Sequence, residues 1–242
     1  MKNSQSQQDV FNSDYFDQKG LNIHAIFKLS ELPAELINPA AAAEANDHDY
    51  KQLIVIGHLG QMLWKNLDSV ISLSKHPIDE YATASVNNYF KQNHNCRSYK
   101  IVYPLSDSHA AVPALQQLGR LAGWHFDSPF KVGVNNIWGS WFAYRAVVLA
   151  DTDFTETPLL QASSPCDNCQ PKYCVTACPA KALDNDELSF QVCIDYRKQA
   201  DSLCKESCVA RVACPIGQPY RYSEQQLAYH YGVSMQTIEA LY

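Results

Sequence analysis

The chain has 242 residues, enough for one large domain or two modest ones, each with a buried core. Hydrophobic residues make up 46% and charged residues 18%, a globular balance that excludes a disordered class. The formal net charge of −6 argues against a broad phosphate-binding surface, so nucleic acid is not an expected partner, although a local basic patch stays open.

The start, Met1 to Gln8, is polar and lacks the apolar run of a secretory signal. No stretch approaches the ~20 apolar residues of a membrane span. The best candidate, Ala143 to Ala150, is short and contains Arg145. The expectation is a cytoplasmic protein with no membrane partner. Strand-like runs follow at Leu21 to Leu29, Leu53 to Gly57, Tyr99 to Tyr103 and Trp141 to Leu149. Between them, Pro77 can open a helix whose apolar face carries Ile78, Tyr81, Val86, Tyr89 and Phe90. Val112, Leu115, Leu118 and Leu121 mark another face, on a helix stopped near Gly123.

Phe126 to Ser140, with Gly133, Gly139, Pro129 and two asparagines, reads as a loop, and loops on a rigid sheet commonly carry sites. Thr152 to Pro165 is rich in Thr, Ser and Pro and reads as a linker. The tail from Ser223 reads as one or two helices, with Ser223 as N-cap and Glu224 in the first turn. Its Leu227-Ala … Gly232-Val-Ser … Thr237-Ile order has the look of half a helix-turn-helix. The absence of Lys or Arg after Arg221 favours a packing helix instead. The expected organisation is therefore a mixed α/β domain over 1–155 and a cysteine-rich module over 156–242.

Cysteine usage carries the chemistry. Cys96 is the one cysteine in the first 165 residues; the other eight lie between Cys166 and Cys214. In a reducing compartment such crowding asks for a metal or redox explanation. The first group is Cys166, Cys169, Cys174 and Cys178-Pro179; the second is Cys193, Cys204, Cys208 and Cys214-Pro215. Bacterial two-cluster ferredoxins space cysteines as C-x₂-C-x₂-C-x₃-C-P, and the fourth cysteine binds the other cluster. A tight loop presents three thiolates to one cubane, while the fourth corner faces away and takes its ligand from elsewhere. The rule assigns Cys166, Cys169, Cys174 and Cys214 to one [4Fe–4S] cluster, and Cys193, Cys204, Cys208 and Cys178 to a second. The loops are longer than the simple spacing, which preserves ligand order but alters how backbone N–H groups wrap the cluster sulfurs.

Zinc favours paired C-x₂-C hooks, and the second group has no such hook, but zinc remains an alternative, as do ordinary buried thiols. Cys96 lies outside the pattern and reads as an ordinary thiol. His24, His58, His76, His94, His109 and His125 are scattered and show no metalloprotease spacing. His109 and His125 flank the helix before the loop, Asp127 lies in the loop, and all three are candidate proton donors. Tyr144 and Arg145 alternate along a strand, so one should face inward.

The run Gly119-Arg-Leu-Ala-Gly-Trp124, then Gly133-Val-Asn-Asn136, then Gly139-Ser-Trp-Phe142, leads through Arg145 and Asp151 into the cysteines. This succession resembles the epoxyqueuosine reductase family, cobalamin-dependent iron–sulfur enzymes related to reductive dehalogenases, over roughly residues 110–220. The resemblance implies a nitroreductase-like α/β domain that holds a corrinoid, followed by a ferredoxin-like module whose two clusters feed electrons to cobalt. Gly133, Asn135, Asn136, Ser140 and Trp141 would then line or shape the cobalamin pocket. The family's Asp shortly before a Pro has no close counterpart, since Asp107 is displaced from Pro113. Gln116-Gln117 replaces an acidic–basic pair, and Val134 replaces a lysine. No catalytic residue is therefore carried over, and the helical-repeat extension of many family members is not expected. The resemblance implies an iron–sulfur oxidoreductase relaying electrons from an external flavodoxin- or ferredoxin-type donor to a corrinoid or small-molecule ligand. The other reading is a non-catalytic electron carrier or corrinoid-handling protein.

Overall fold

A computed structural model describes residues 10–37, 49–67, 74–92, 98–104, 113–158, 163–183 and 188–242. Cys96, Asp107, His94, His109 and Val112 lie outside them. The chain divides into two compact units, one of residues 1–122 with 143–160, the other of residues 123–142 with 161–242. The Gly- and Asn-rich loop thus belongs with the cysteines rather than with the sheet.

The first unit is built on a four-stranded sheet, β1 (Ile23–Lys28), β2 (Gln52–Leu59), β3 (Tyr99–Tyr103) and β4 (Phe142–Ala150), in the order β1-β2-β4-β3. All four strands fall where alternation and β-branched runs place them. The pairs β1–β2 and β3–β4 are antiparallel, with Ala25 opposite Val55 and Tyr99 opposite Ala150. Strand β2 is buried from Gln52 to His58, which explains its unbroken Leu-Ile-Val-Ile run: both of its faces are covered. Ile54 has no exposed surface. Ile54→Ala is expected to cost about 2–5 kcal/mol, read by chemical denaturation, because the site cannot collapse around the lost atoms.

Helices α1 (Ser13–Asp17), α2 (Met62–Leu67), α3 (Pro77–Gln92) and α4 (Leu115–Leu121) complete the unit. Pro77 opens α3 as expected, and Ile78, Val86, Tyr89 and Phe90 are buried, while Tyr81 is half-buried. Phe16 stands at the centre of an aromatic group, 4.7 Å from Tyr89 and 5.5 Å from Phe11 by ring centroid. Phe154 joins that group against Phe11 at 5.5 Å and is 1% exposed.

The Thr152 to Pro165 stretch is therefore no free linker over its first part. Gln52 Oε1 accepts from the Phe154 N–H at 2.9 Å and from Thr152 Oγ1 at 2.8 Å, and its Nε2 donates to Phe154 O. Composition suggested a spacer, but one aromatic side chain and one buried amide suffice to dock it. In the same unit Arg145 Nε donates to His58 Nδ1 at 2.9 Å, and His24 is half-buried with its pKa lowered by desolvation. The Tyr144 hydroxyl reaches the Gly119 backbone, where a Cβ would collide with it, and burial pushes its pKa up.

The second unit carries short helices α5 (Tyr173–Ala177), α6 (Phe190–Lys198) and α7 (Val209–Val212), then α8 (Glu224–Leu241). Ser223 caps α8 by accepting from the Gln226 N–H. The helix runs unbroken through Gly232-Val233-Ser234, so the tail is one packing helix with no helix-turn-helix corner. Among the described residues, no helix is long and apolar enough to cross a membrane.

Candidate metal centre

The eight described cysteines form no disulfide. They come from four kinds of local structure. Cys166 lies in a turn that Cys169 directly follows, Cys174 in α5 and Cys193 in α6. Cys204 follows a turn closed by Ser202, whose hydroxyl accepts from the Cys204 N–H at 3.2 Å. Ser164 does the same for Cys166, also at 3.2 Å. Cys178 ends α5 with an extended backbone, as a residue before proline must, and the chain turns away there. Cys208 is the N-cap of α7, and Cys214 follows that helix.

The electrostatics sort the thiols into two sets. Burial pushes Cys174 up to about 11, and the charges of Cys214, Cys166 and Cys169 add to the push. Burial raises Cys166 as well, with Cys214 and Cys169 contributing. Cys214 is raised by burial and by Cys169. In the other set burial raises Cys193, with Cys208, Cys178 and Cys204 as neighbours, and raises Cys204, with Cys208 and Cys178. Each raised thiol feels members of its own set, and those sets cross the sequence groups at Cys178 and Cys214.

Four thiolates so close repel one another and resist ionisation, a cost that a cationic cluster core would offset. Backbone N–H groups of Val175, Val209 and Ile216 donate to the sulfurs of Cys174, Cys204 and Cys214. Such donors suit a charged sulfur ligand. A cavity beside the first set is lined by Cys166, Cys169, Cys174 and Cys214 with Pro129, Phe130 and Ile216. One apolar cluster, Phe130, Leu183 and Ala210, packs against Cys174 of the first set and Cys178 and Cys208 of the second. Among the described residues, no three His, Cys, Asp or Glu stand together as ligands for a single metal ion. Four thiols around a cubane stand wider apart than four around one ion.

Charged and polar neighbours missed by the sequence reading flank the second set. Arg197, four residues after Cys193 on α6, donates from Nε to Cys204 O at 3.0 Å. The Tyr231 hydroxyl bonds Cys208, and burial pushes its pKa up to about 12. The i, i+4 spacing of Cys193 and Arg197 is the signal that could have found Arg197, had α6 been read as a helix.

The loop residues are largely engaged inside their own unit. Asn135 Oδ1 accepts from the N–H groups of Ile137 and Trp138, at 2.9 and 3.2 Å, and Nδ2 donates to Gly123 O. Ser140 has no exposed surface and accepts from Arg211 through Oγ and its carbonyl. Trp141 is fully buried, with the Arg211 guanidinium 4.7 Å and the Arg221 guanidinium 5.7 Å from its ring centroid, and Tyr222 edge-on at 5.5 Å. Gly133 lets the His125 ring approach, and a Cβ there would strike it. His125 is buried, with Nε2 3.8 Å from Asp127 Oδ1. Asn136 is exposed and donates to Ser163 O. Of the five loop residues implied for a corrinoid pocket, Asn136 is the one whose side chain faces solvent.

Gly139 and Gly217 lock this loop to the turn after Cys214. Both have positive φ, 61° and 74°, and a Cβ on either would collide with the facing carbonyl, of Ile216 or Trp138. Gly217→Ala is expected to cost roughly 1–2 kcal/mol for the left-handed backbone alone, plus the clash. The measurement is the midpoint of chemical denaturation, which should fall.

No protein-family model matches the sequence, and no curated protein matches it. Solved structures do share the fold. An epoxyqueuosine reductase bound to a modified tRNA-Tyr stem loop aligns with TM-score 0.53 at 13% identity, covering 89% of this chain and 67% of that one. Epoxyqueuosine reductase from Streptococcus thermophilus aligns with TM-score 0.52 at 11% identity, covering 85% of this chain and 65% of its own. A reductive dehalogenase described for B12-dependent dehalogenation aligns with TM-score 0.50 at 12% identity, covering 90% and 33%. The chain thus spans about two thirds of the reductases and a third of the dehalogenase. The resemblance read from the sequence is matched by the fold. The charge argument against a nucleic-acid partner gains no support, since one of these neighbours is solved with tRNA.

Proposed function

We propose that this chain is an iron–sulfur protein that holds two [4Fe–4S] clusters, relaying single electrons from an external donor to a corrinoid. The observation that carries the reading is the crossed arrangement of thiols, Cys166, Cys169, Cys174 and Cys214 against Cys178, Cys193, Cys204 and Cys208. The clusters would supply one-electron storage and transfer. The chain's part is to present eight thiolates, to donate backbone N–H groups to three of the sulfurs, and to exclude water with Phe130, Leu183 and Ala210. The apolar cluster that touches both sets supports close spacing of the two centres. The corresponding domain reading is a nitroreductase-like domain built on the sheet and a ferredoxin-like cysteine module, with residues 123–142 grouped with the module.

The corrinoid step rests on the shared fold and on the Gly139-Ser-Trp-Phe142 run. Internal engagement of Asn135, Ser140 and Trp141 gives these residues a shaping role, with the exposed Asn136 placed to meet a ligand's amide rim. It also favours a second reading, an electron carrier or corrinoid-handling protein without chemistry of its own. Titration with cob(II)alamin tests the step: the expected result is a spectral change with co-elution on gel filtration. No change and no retention would remove the corrinoid and leave the carrier.

A further inference from the structure

We propose that Arg197 is a positioning residue that raises the reduction potential of the cluster held by Cys178, Cys193, Cys204 and Cys208. The inference deepens the two-cluster reading and rests on it. Arg197 is 8% exposed, and each arm of its guanidinium is committed to a neutral acceptor. Nε donates to Cys204 O at 3.0 Å, Nη1 to Ser234 Oγ at 3.0 Å and Nη2 to Tyr231 O at 3.1 Å. The guanidinium also lies 5.4 Å from the centroid of the Tyr231 ring. Among the described residues no carboxylate pairs with it.

A full charge buried among neutral partners is costly unless a counter-charge lies close by. Arg197 Nε is fixed on the carbonyl of Cys204, and Cys193 stands one helical turn before it on α6, so the sulfurs of that set are the groups on hand to carry one. Four thiolates on a cubane supply that negative charge, and one-electron reduction adds another. A fixed cation in a low-dielectric site stabilises the reduced form more than the oxidised one, and so raises the potential. The three hydrogen bonds hold the guanidinium in place, two of them to helix α8, which gives the C-terminal helix a role in tuning the centre. At the first set the nearby cations, Lys172 and Arg221, are half-buried, and Arg197 is not among the groups acting on Cys166, Cys174 or Cys214.

The test is an EPR-monitored redox titration of the anaerobically reconstituted full chain, with dithionite as reductant. It is repeated in a Cys214→Ser background that keeps this cluster alone. Arg197→Gln is expected to lower the equilibrium constant for its reduction at least tenfold, or 59 mV for a one-electron couple. The first cluster of the otherwise unaltered chain should stay within threefold. Arg197→Lys, which keeps the charge, is expected within threefold of the parent, and a tenfold change there overturns the proposal whatever Arg197→Gln loads. An unchanged potential in Arg197→Gln, or an equal shift of both clusters, would also overturn it. Absence of any cluster signal from the unaltered chain would instead sink the two-cluster reading.

Discussion

Replacing Cys214 by Ser is expected to remove the cluster bound by Cys166, Cys169 and Cys174 and to leave the other intact. Iron should fall from about eight to about four per chain. The sequence neighbours of Cys214 belong to the other cysteine group, so a local ligand set would predict loss of the second cluster instead. The double variant Cys169→Ser/Cys214→Ser separates the two cases. With crossed ligands both changes strike one cluster, and about four irons remain; with local ligands each strikes a different one, and iron approaches zero. Cys178→Ser is the reciprocal variant and should strip the cluster of Cys193, Cys204 and Cys208. The physical basis is that a thiol sharing one site with others has its pKa raised by them, as Cys174 has by Cys214.

Trp141→Ala is expected to destabilise the second unit by about 3–5 kcal/mol, read by denaturant titration with no corrinoid present. The indole is fully buried, and its removal opens a cavity beside Tyr222 and Leu227 while exposing Arg211. A residue that only lined a ligand pocket would leave the ligand-free protein unchanged. Asn136→Ala is the contrasting variant: its side chain is exposed, so stability should move by less than about 0.5 kcal/mol. Any effect of that change should then fall on cobalamin retention.

Much of the sheet was legible because strands of this kind advertise themselves. Tyr99 to Tyr103 alternates, and Leu53 to Ile56 is an unbroken apolar run of a strand covered on both faces. The first-turn proline of α3 and the Ser223 cap were legible for the same reason, since each is a local chemical requirement. The docking of Phe154 was not, because a single aromatic in a Thr- and Pro-rich stretch gives no period, and its partner Gln52 lies far away in sequence. Nor was the grouping of residues 123–142 with the cysteines. That grouping depends on Gly139 and Gly217 approaching backbone to backbone, a contact without a sequence pattern. At the candidate site, cysteine order and the two Cys-Pro endings suggested the crossed grouping, and the thiols' electrostatic neighbours fall into the same two sets. Arg197 and Tyr231 escaped notice because their importance comes from burial beside sulfur, which spacing alone does not reveal.

Iron and acid-labile sulfide in the anaerobically reconstituted full chain test the central claim most directly. Two clusters predict about eight of each per chain, with no stoichiometric zinc. About four of each, or zinc in place of iron, would contradict it.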